Sequence, residues 1–240
     1  LMPFHRWLPA AMVAPTPVSA LLHAVAVVKA GVFAILKVTV YIFGIDLVGG
    51  STASTALLWM AALTIIGASL VALYQDNLKR RLAYSTISQL SYVVLGAVLA
   101  NAASISGAAV HIATHAVGKI TLFFCAGAIL VAAHKTLVSE LDGLGRQMPL
   151  TMGAFLIASL SIAGLPPTGG LWGKWYLALG ALDAGYGILV GVLMLSTLLN
   201  IAYLLPIPLR AFFGQSPKTT VQFNEAPLPC LVAIGITTAA

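Results

Sequence analysis

The chain has 240 residues, of which 60% are hydrophobic and 8% are charged, and its mean hydropathy is +1.01. Soluble domains contain about 25% charged residues, so this composition excludes an ordinary soluble domain. A net charge of +6 often indicates nucleic-acid binding. Here the few basic residues fall in predicted loops, which indicates membrane topology and no nucleic-acid partner. The length allows six or seven membrane-spanning helices at about 20 residues each.

Apolar segments follow one another along the chain, with short loops between them. Their hydrophobic character is continuous, whereas barrel strands alternate, so the segments are predicted to be helices. They comprise residues 18–44, 53–74, 84–100, 103–133, 149–165, a short segment at 171–182, 185–213, and a last segment that begins near residue 228. The sequence therefore predicts an all-α polytopic membrane protein, a bundle of about seven to eight transmembrane segments.

Neither end of the sequence resembles a natural terminus. The chain starts at Leu1 rather than at a methionine and stops at Ala240 within an apolar run. The residues after Leu1 lack the pattern of a signal peptide. Cys125 and Cys230 both lie in apolar segments, so no disulfide framework is predicted. We therefore expect a fragment of a longer membrane protein.

The loop charges predict which loops share a side of the membrane. If each pair of spans forms a hairpin, residues 5–6, 76–81 and 135–146 fall on one side. The opposite loops, at residues 46–51 and 100–103, contain no lysine or arginine. The positive-inside rule places the basic loops in the cytoplasm.

Two stretches break the helical pattern. Residues 14–19 read Ala-Pro-Thr-Pro-Val-Ser, and residues 165–170 read Leu-Pro-Pro-Thr-Gly-Gly, just before Lys174. Proline removes an amide donor and clashes with the preceding turn, so interrupted helices are expected at both places, one of them near Lys174. Paired interruptions of this kind point to the site of a transporter. The alternative is two ordinary loops, because proline also ends ordinary membrane helices.

His111, His115 and Lys119 are spaced four residues apart, so they lie along one face of a helix. Two imidazoles and an amine on one face can donate and accept protons, as a proton relay requires. Histidines four residues apart can also share a metal ion. We find no third ligand at a suitable spacing and predict no metal site. The stripe is therefore interpreted as part of a proton pathway.

Three lysines lie within or beside apolar segments, where a charged amine is costly. A lysine at the bilayer centre costs about 2.5–3.5 kcal/mol on insertion scales. We assign Lys29, Lys119 and Lys174 to the pathway, together with the two histidines of the stripe. Lys37 lies nearer the end of its span, and its long stem could carry the amine to the interface.

Two further residues are possible members of the pathway. His23 is not on the face of Lys29 in an ideal helix, although a bulge near the prolines could change that. Lys79 lies at a basic junction between a loop and a helix, where membrane anchoring is the simpler explanation. It could also extend the polar path inward from the cytoplasm.

Motifs of enzyme chemistry are missing from the sequence. It contains no Gly-x-Ser-x-Gly, no Walker-type Gly-Lys-Ser/Thr, no Rossmann glycine fingerprint and no Cys-x-x-Cys. We therefore predict no catalytic residue and no cofactor, and expect a transporter component without a redox site of its own.

Several strings, taken in order, resemble one protein family. They are Pro3-Phe-His-Arg-Trp-Leu-Pro9, Ala14-Pro-Thr-Pro-Val-Ser-Ala-Leu-Leu-His23 with Lys29-Ala-Gly31, Leu78-Lys-Arg-Arg-Leu-Ala-Tyr-Ser-Thr86, His111-Ile-Ala-Thr-His115 with Lys119, and Leu165-Pro-Pro-Thr-Gly-Gly-Leu-Trp-Gly-Lys174. The chain is similar to the antiporter-like membrane subunits shared by respiratory complex I and the multisubunit Mrp-type cation/proton antiporters. Gly173-Lys174-Trp175 resembles both the D-type subunits of Mrp antiporters and the N type of complex I. The Pro-Thr-Pro-Val-Ser run argues against the N type, so the Mrp D type is the nearest resemblance.

The resemblance implies a fold of inverted repeats of five helices. Residues 1–214 would form an antiporter-like proton-translocating domain, and residues 215–240 a loop and the start of a further helix. The family also has a Glu–Lys pair in its first half, which would precede residue 1. We therefore expect this chain to hold the second half-channel and part of the link between the halves.

The resemblance also implies roles for individual residues. Lys29 matches the central-axis lysine, and Lys174 matches the terminal lysine of the broken helix. His115 and Lys119 match the helix that links the two half-channels. His23 matches a histidine that only some family members have.

The function implied is that of a proton-conducting subunit of a multisubunit Na⁺/H⁺ antiporter in the bacterial inner membrane. Its partners would be the other membrane subunits of the complex, and its cargo protons and possibly Na⁺. The alternative is a proton-pumping subunit of an NADH:quinone oxidoreductase or a related respiratory or hydrogenase complex, driven by redox chemistry in other subunits. A passive scaffold is a third possibility, but leucine or methionine would serve a scaffold better than three lysines.

Overall fold

The structure is a computed structural model that describes residues 1–24, 26–214 and 225–240, without the side chains of residues 22–24. The described residues form helices joined by short loops, and their one β-type contact is an isolated bridge between Asn77 and Leu137. Three stretches are long and apolar enough to cross a membrane: Thr52–Tyr74, Ala102–Ala133 and Gly187–Phe213. The prediction of an all-α membrane bundle is confirmed.

The α-helices of the described residues are numbered here in chain order. They are α1 (Trp7–Ala10), α2 (Thr16–Ala24), α3 (Val27–Lys37), α4 (Ile45–Gly49), α5 (Thr52–Tyr74), α6 (Leu78–Val98), α7 (Ala102–Ala133), α8 (Pro149–Ala163), α9 (Gly170–Asp183), α10 (Gly187–Leu204), α11 (Pro206–Phe213) and α12 (Leu228–Ala239). A π-helical turn at Val38–Phe43 continues α3. Every predicted apolar segment has a helical counterpart, with shifts of a few residues at the boundaries.

The first predicted segment, residues 18–44, is two helices rather than one. The Pro-Thr-Pro sequence begins α2, because a proline in the first turn has no helical hydrogen bond to lose. The helix is interrupted further along, between Ala24 and Val27, where Ala26 has the non-helical angles φ −90° and ψ −86°. The predicted interruption at the prolines is confirmed, because Ala14 has a non-helical ψ of 153° and separates the short helical turn Ala11–Val13 from α2. The interruption just before Lys29 is a second one, which the prolines do not mark.

Helices α8 and α9 are separated by the predicted Pro/Gly break. Helix α8 ends at Gly164, whose φ of +79° is readily available to glycine. The amide of Leu165 donates back to the Leu160 carbonyl at 3.1 Å, which closes the end of the helix. Helix α9 then begins at Gly170 and carries Lys174 in its second turn. The prediction of a broken helix near Lys174 is confirmed.

The two halves of this broken helix make a single crossing. The start of α8 lies at the basic end of the bundle, where the Arg146 Nε donates to the Phe212 carbonyl at 3.2 Å. The last turn of α9 lies at the opposite end, where the Asn101 side-chain Nδ2 donates to the Gly180 carbonyl at 2.6 Å. The short predicted segment at residues 171–182 is therefore the second half of one crossing.

Helix α6 lies at the centre of the bundle. Every residue from Ser85 to Val98 is buried, although many of them are polar. Asn77 caps the helix by accepting the Arg80 amide at 3.1 Å. Helix α7 packs against both α6 and α9. A Cβ at Gly173 would lie 3.0 Å from the Cβ of His111, so glycine permits the close approach of α9 to the histidines of α7.

Two of the three predicted basic stretches, residues 76–81 and 135–146, share one end of the bundle. The stretch at residues 5–6 lies further into the bundle, because the Met2 amide donates to the Thr64 hydroxyl in the middle of α5 at 3.1 Å. The Ser139 amide and hydroxyl donate to the two carboxylate oxygens of Asp76 at 3.0 and 2.8 Å. Arg210, whose side the sequence leaves open, forms a bidentate pair with Asp142 at this same end, with both distances 2.9 Å. Lys218 lies outside the described residues.

Candidate functional site

The five predicted pathway residues are all buried. They come from three helices, because α3, α7 and α9 each turn a polar side chain toward the interior. None of them is more than 7% exposed: Lys29, His111, His115, Lys119 and Lys174. None of these five side chains is therefore a solvated surface group.

Lys29 and His115 are joined directly. The Lys29 Nζ is hydrogen-bonded to the His115 Nδ1. Because Lys29 lies in the first turn of α3, the interruption before that helix sets the position of its amine against α7. Either nitrogen can donate in such a bond, depending on which one carries the hydrogen. The pair can therefore hold a proton in two alternative places.

Aromatic stacking continues from His115 toward the broken helix. The rings of His115 and His111 lie 5.7 Å apart at 18°, and those of His111 and Tyr92 lie 5.3 Å apart at 28°. The Lys174 Nζ lies over the Tyr92 ring, 5.6 Å from its centroid, within the range of a cation–π contact. We call Lys29, His115, His111, Tyr92 and Lys174 the lysine–histidine row.

The amine of Lys174 is held by the end of α8. It donates to the carbonyl oxygens of Ile162 and Ala163, each at 2.9 Å. These carbonyls belong to the last turn, where they lack partners within the helix. The negative end of the helix dipole also favours a cation at this position. The break between α8 and α9 thus supplies the binding site for the ammonium group.

Lys119 has different partners from the rest of its stripe. Its Nζ donates to the Ser85 hydroxyl at 2.8 Å and to the Leu82 carbonyl at 3.0 Å, both on α6. Among the described residues no hydrogen bond joins it to His115. The predicted stripe therefore divides, with the two histidines in the row and Lys119 attached to α6.

No acid neutralises the buried lysines within the described part of the chain. The ion pair between Arg210 and Asp142 lies at the surface and involves none of them. No three His, Cys, Asp or Glu side chains in the described ranges come together as metal ligands would. Three ammonium groups without a counter-charge would repel each other and lose hydration. Full protonation of all three at once is therefore costly.

Several buried polar atoms of the site have no protein partner among the described residues. They are both ring nitrogens of His111, the His115 Nε2, the Tyr92 hydroxyl and the side-chain amide of Gln89. A buried polar group without a hydrogen bond costs about 1–3 kcal/mol. Such groups are normally satisfied by water, so the site suits a hydrated interior.

Of the two residues predicted as possible members of the pathway, Lys79 lies apart from the row. The Lys79 Nζ donates to the Ala14 carbonyl at 3.1 Å, at the basic end. The side chain of His23 lies outside the described residues. Lys37 is exposed on α3, with its Nζ 4.6 Å from the centroid of the Tyr41 ring. Lys37 therefore has the position expected of a lysine that reaches for the interface.

Sequence reasoning missed Tyr92 and Ser85. Both lie on α6, seven residues apart, with Ser88 between them. The residues of such a series share one face of a helix. The helical spacing that identified His111, His115 and Lys119 would have found this second polar face, had it been applied to uncharged side chains.

Residues 1–200 match the family described as NADH:quinone oxidoreductase/Mrp antiporter, TM. The chain belongs to this family. One relative is the NADH-quinone oxidoreductase subunit N of Desulforudis audaxviator, 38% identical over 231 residues, covering 95% of this chain and 45% of the relative. The chain thus spans less than half the length of this relative.

Two solved structures of membrane complexes share the fold. A chain of respiratory complex I from Thermus thermophilus is 28% identical, with a TM-score of 0.78, and the match covers all of this chain and 51% of that one. A chain of the Mrp complex from Dietzia sp. is 21% identical, with a TM-score of 0.83, over all of this chain and 53% of that one. Family members of both kinds therefore have this arrangement of helices.

Proposed function

We propose that this chain is the proton-conducting part of a membrane subunit in a multisubunit complex. The observation that carries the proposal is the lysine–histidine row, which connects Lys29 to Lys174 through two stacked imidazoles and an aromatic ring. Proton relays through membranes are built from buried ionisable residues of this kind. Membership of the family supports the same function.

The row provides two proton-holding positions at its ends. At one end, the bond between Lys29 and His115 lets a proton pass between an amine and an imidazole. At the other end, helix-end carbonyls stabilise the charged form of Lys174. His111, with two unpartnered nitrogens, lies between them and can accept a proton on one nitrogen and release one from the other. Water completes the gaps between stacked rings, because stacking alone carries no proton.

Electrostatic repulsion between the lysines couples proton uptake at one lysine to proton release at another. A proton that arrives at Lys29 raises the cost of a proton on Lys119 or Lys174, because no carboxylate lies between them in the described residues. A change of charge in a neighbouring subunit would also alter which of these lysines holds the proton. Proton release at one end would therefore follow proton uptake at the other.

A quinone-reducing respiratory complex is the first candidate for the whole assembly. The relative of 38% identity over 95% of this chain is part of an NADH-quinone oxidoreductase. In such an assembly the driving charge would come from redox chemistry in other subunits. The protein would lie in the bacterial plasma membrane, with its basic loops in the cytoplasm.

A cation/proton antiporter is the second candidate. Gly173-Lys174-Trp175 resembles both the D-type subunits of Mrp antiporters and the N type of complex I, and the Pro-Thr-Pro-Val-Ser run argues against the N type. The Dietzia Mrp complex shares the fold. In this assembly an imposed Na⁺ gradient, rather than electron transfer, would drive proton movement.

The two candidates are separated by transport assays on the full-length protein expressed with its partner subunits in inverted membrane vesicles. Proton uptake that starts on addition of NADH and stops with an inhibitor of electron transfer would support the respiratory assembly. Proton exchange driven by a Na⁺ gradient, without an electron donor, would support the antiporter. Absence of proton movement under both conditions would contradict the proposed function.

A further inference from the structure

A second polar feature shares Tyr92 with the lysine–histidine row and continues along α6 from that residue. Ser85, Ser88 and Tyr92 form one face of α6. Ser196, Asn200 and Tyr203 form one face of α10, at the matching spacing of three to four residues. All six are fully buried. Two polar faces meeting inside an apolar bundle are costly unless their groups satisfy each other or hold water.

Ser69 of α5 joins the two faces at mid-height. Its hydroxyl lies 2.8 Å from that of Ser88 and 3.4 Å from that of Ser196. The Ile65 carbonyl lies 2.8 Å from the Ser69 hydroxyl and 2.9 Å from the Ser88 hydroxyl. It accepts from one of them while the other donates between the two serines, because each hydroxyl has one hydrogen. One shared carbonyl and three hydroxyls thus link α5, α6 and α10. Because a hydroxyl both donates and accepts, these bonds can reverse direction.

The feature ends at Lys119 in one direction. The Lys119 Nζ donates to the Ser85 hydroxyl at 2.8 Å. Tyr203 of α10 lies at the same end of α6, because its backbone carbonyl accepts from the Arg81 Nη1 at 3.1 Å, and its hydroxyl donates to the side-chain carbonyl of Asn200. Buried hydroxyls therefore continue from Ser85 on α6 to Tyr203 on α10.

The feature ends at Lys174 in the other direction. The Tyr92 hydroxyl is buried one turn beyond Ser88 on α6 and has no hydrogen-bond partner among the described residues. Its ring lies beneath the Lys174 amine. We call Ser85, Tyr203, Asn200, Ser196, Ser69, Ser88 and Tyr92 the hydroxyl column.

Two atoms of the column point to bound water. The Asn200 Nδ2 and the Tyr92 hydroxyl are buried and have no protein partner within the described ranges. Both side chains are 0% exposed. An orphaned donor in an apolar surrounding is normally paired with an ordered water molecule that also contacts neighbouring polar groups. The hydroxyls of Ser196 and Ser69 are the neighbours available here.

We propose that the hydroxyl column is a second proton connection between Lys119 and Lys174, one that does not pass through His111 or His115. This inference rests on the proposed function, because it assigns a further route to the same proton movement. It gives Lys119 a connection to the broken helix that its own stripe lacks, since no hydrogen bond joins Lys119 to His115 in the described residues.

The transfer conserves protons at each step. The Lys119 ammonium releases a proton to the Ser85 oxygen as the Ser85 hydrogen moves to the Tyr203 oxygen. The Tyr203 hydrogen passes to a water molecule held at Asn200, and water and hydroxyls hand one proton on in the same way as far as Tyr92. A water molecule beside the Tyr92 hydroxyl then protonates the neutral Lys174 amine. Lys119 ends neutral, Lys174 ends charged, and every hydroxyl regains one hydrogen.

Hydroxyl and amide contacts between helices also serve as packing interactions in membrane proteins. A purely structural column would affect assembly and stability but would not set the proton flux of an assembled complex. The test therefore measures proton transport per assembled complex in the full-length protein with its partner subunits. His111→Phe interrupts the row while keeping a ring between His115 and Tyr92.

The hydroxyl column is then altered in the His111→Phe variant. Tyr203→Phe with Ser88→Ala removes two hydroxyls of the column and keeps the tyrosine ring. The matched control, Tyr84→Phe with Ser91→Ala, removes two hydroxyls of the same types from α6 outside the column; the Ser91 hydroxyl bonds only within its own helix, to Ile87 at 3.0 Å. If the combined column variant does not assemble, Ser88→Ala alone replaces it, because it removes a single oxygen.

We expect His111→Phe to retain measurable proton transport. Addition of the column changes should lower it by about 100-fold, the lower end of the contribution of a positioned proton-transfer group. The control changes should leave it as in His111→Phe. Complete loss in His111→Phe alone, or equal transport with and without the column changes, would overturn the second connection. Failure of the unaltered protein to move protons would instead contradict the proposed function itself.

Discussion

Each buried lysine has a different kind of partner for its amine. Lys29 bonds to an imidazole nitrogen, Lys119 to a hydroxyl and a carbonyl, and Lys174 to two helix-end carbonyls. A carbonyl can only accept, so Lys174 is held as a donor in both of its charge states. An imidazole can accept or donate, so Lys29 can exchange its proton with its partner. The three lysines are therefore suited to different steps of one transfer.

At the residue scale, we predict that Lys29→Ala lowers proton transport by about 100-fold in the assembled full-length protein, because the row loses its proton-exchanging end. Lys37→Ala is the matched control. Lys37 lies on the same helix, eight residues further on, but is exposed and outside the row. The measurement is proton uptake by vesicles, normalised to the amount of assembled complex. An equal loss in both variants would contradict the role given to Lys29.

The charged members of the site were predictable from the sequence, whereas the aromatic link was not. Lys29 and Lys174 are conspicuous because charge is costly in apolar segments. Tyr92 carries no such signal, since an aromatic residue in a buried helix is ordinary. The division of the His111–Lys119 stripe also depends on which neighbouring helix each side chain meets, and spacing along one helix contains no such information.

At the scale of elements, the break between α8 and α9 creates the Lys174 site. Gly164 at φ +79° ends α8 while its last carbonyls still point toward the amine. A Cβ at this position would lie 3.0 Å from the Cδ of Lys174. Both the backbone conformation and the nearby side chain therefore require glycine here.

We predict that Gly164→Ala destabilises the protein by about 1–2 kcal/mol, the cost of a left-handed conformation for a residue with a Cβ. It should also lower proton transport, because Lys174 is displaced. Gly153→Ala in the same helix is the control. A Cβ there meets no atom within 4 Å, and alanine favours the helix by about 0.5–1 kcal/mol. The measurement is the thermal unfolding midpoint of the purified complex. A midpoint for Gly164→Ala at or above that of Gly153→Ala would contradict this account.

The sequence predicts the interruptions at residues 165–170 and 14–19, but not the one before Lys29. At residues 165–170 the prolines follow a helix that glycine has already ended, so the break coincides with them. At residues 14–19 the prolines precede a helix and occupy its first turn, where they are tolerated. The interruption that positions Lys29 lies between Ala24 and Val27, in a stretch with no proline or glycine, so the local residues contain no signal for it.

At the scale of the whole molecule, one end of the bundle is tied together by polar contacts. Asp76 binds Ser139, and Arg210 binds Asp142. Arg81 adds a third tie, because it donates to the carbonyls of Gln75 and Tyr203 at 2.7 and 3.1 Å. These contacts fix the loops that follow α5 and α7 relative to α10 and α11. The opposite end lacks basic residues in its predicted loops, which gives the molecule a defined orientation.

We predict that exposed positions at the two ends are accessible from opposite sides of the membrane. Arg80→Cys and Thr136→Cys mark the basic end, and Asp46→Cys and Asp183→Cys the other, in a full-length protein whose native cysteines are replaced. An impermeant maleimide should label the first pair in inside-out vesicles and the second pair in right-side-out vesicles. Labelling of Arg80→Cys and Asp183→Cys from the same side would contradict the single crossing of α8 and α9.

The most direct test of the central claim is proton transport by Lys119→Ala and Lys174→Ala in the full-length protein, assembled with its partner subunits. Each change removes one amine at an end of the buried polar connections while leaving the surface of the complex unaltered. We expect assembly at normal levels with proton transport lowered by about 100-fold or more in each variant. Normal transport in both variants would show that protons do not use these lysines and would contradict the account.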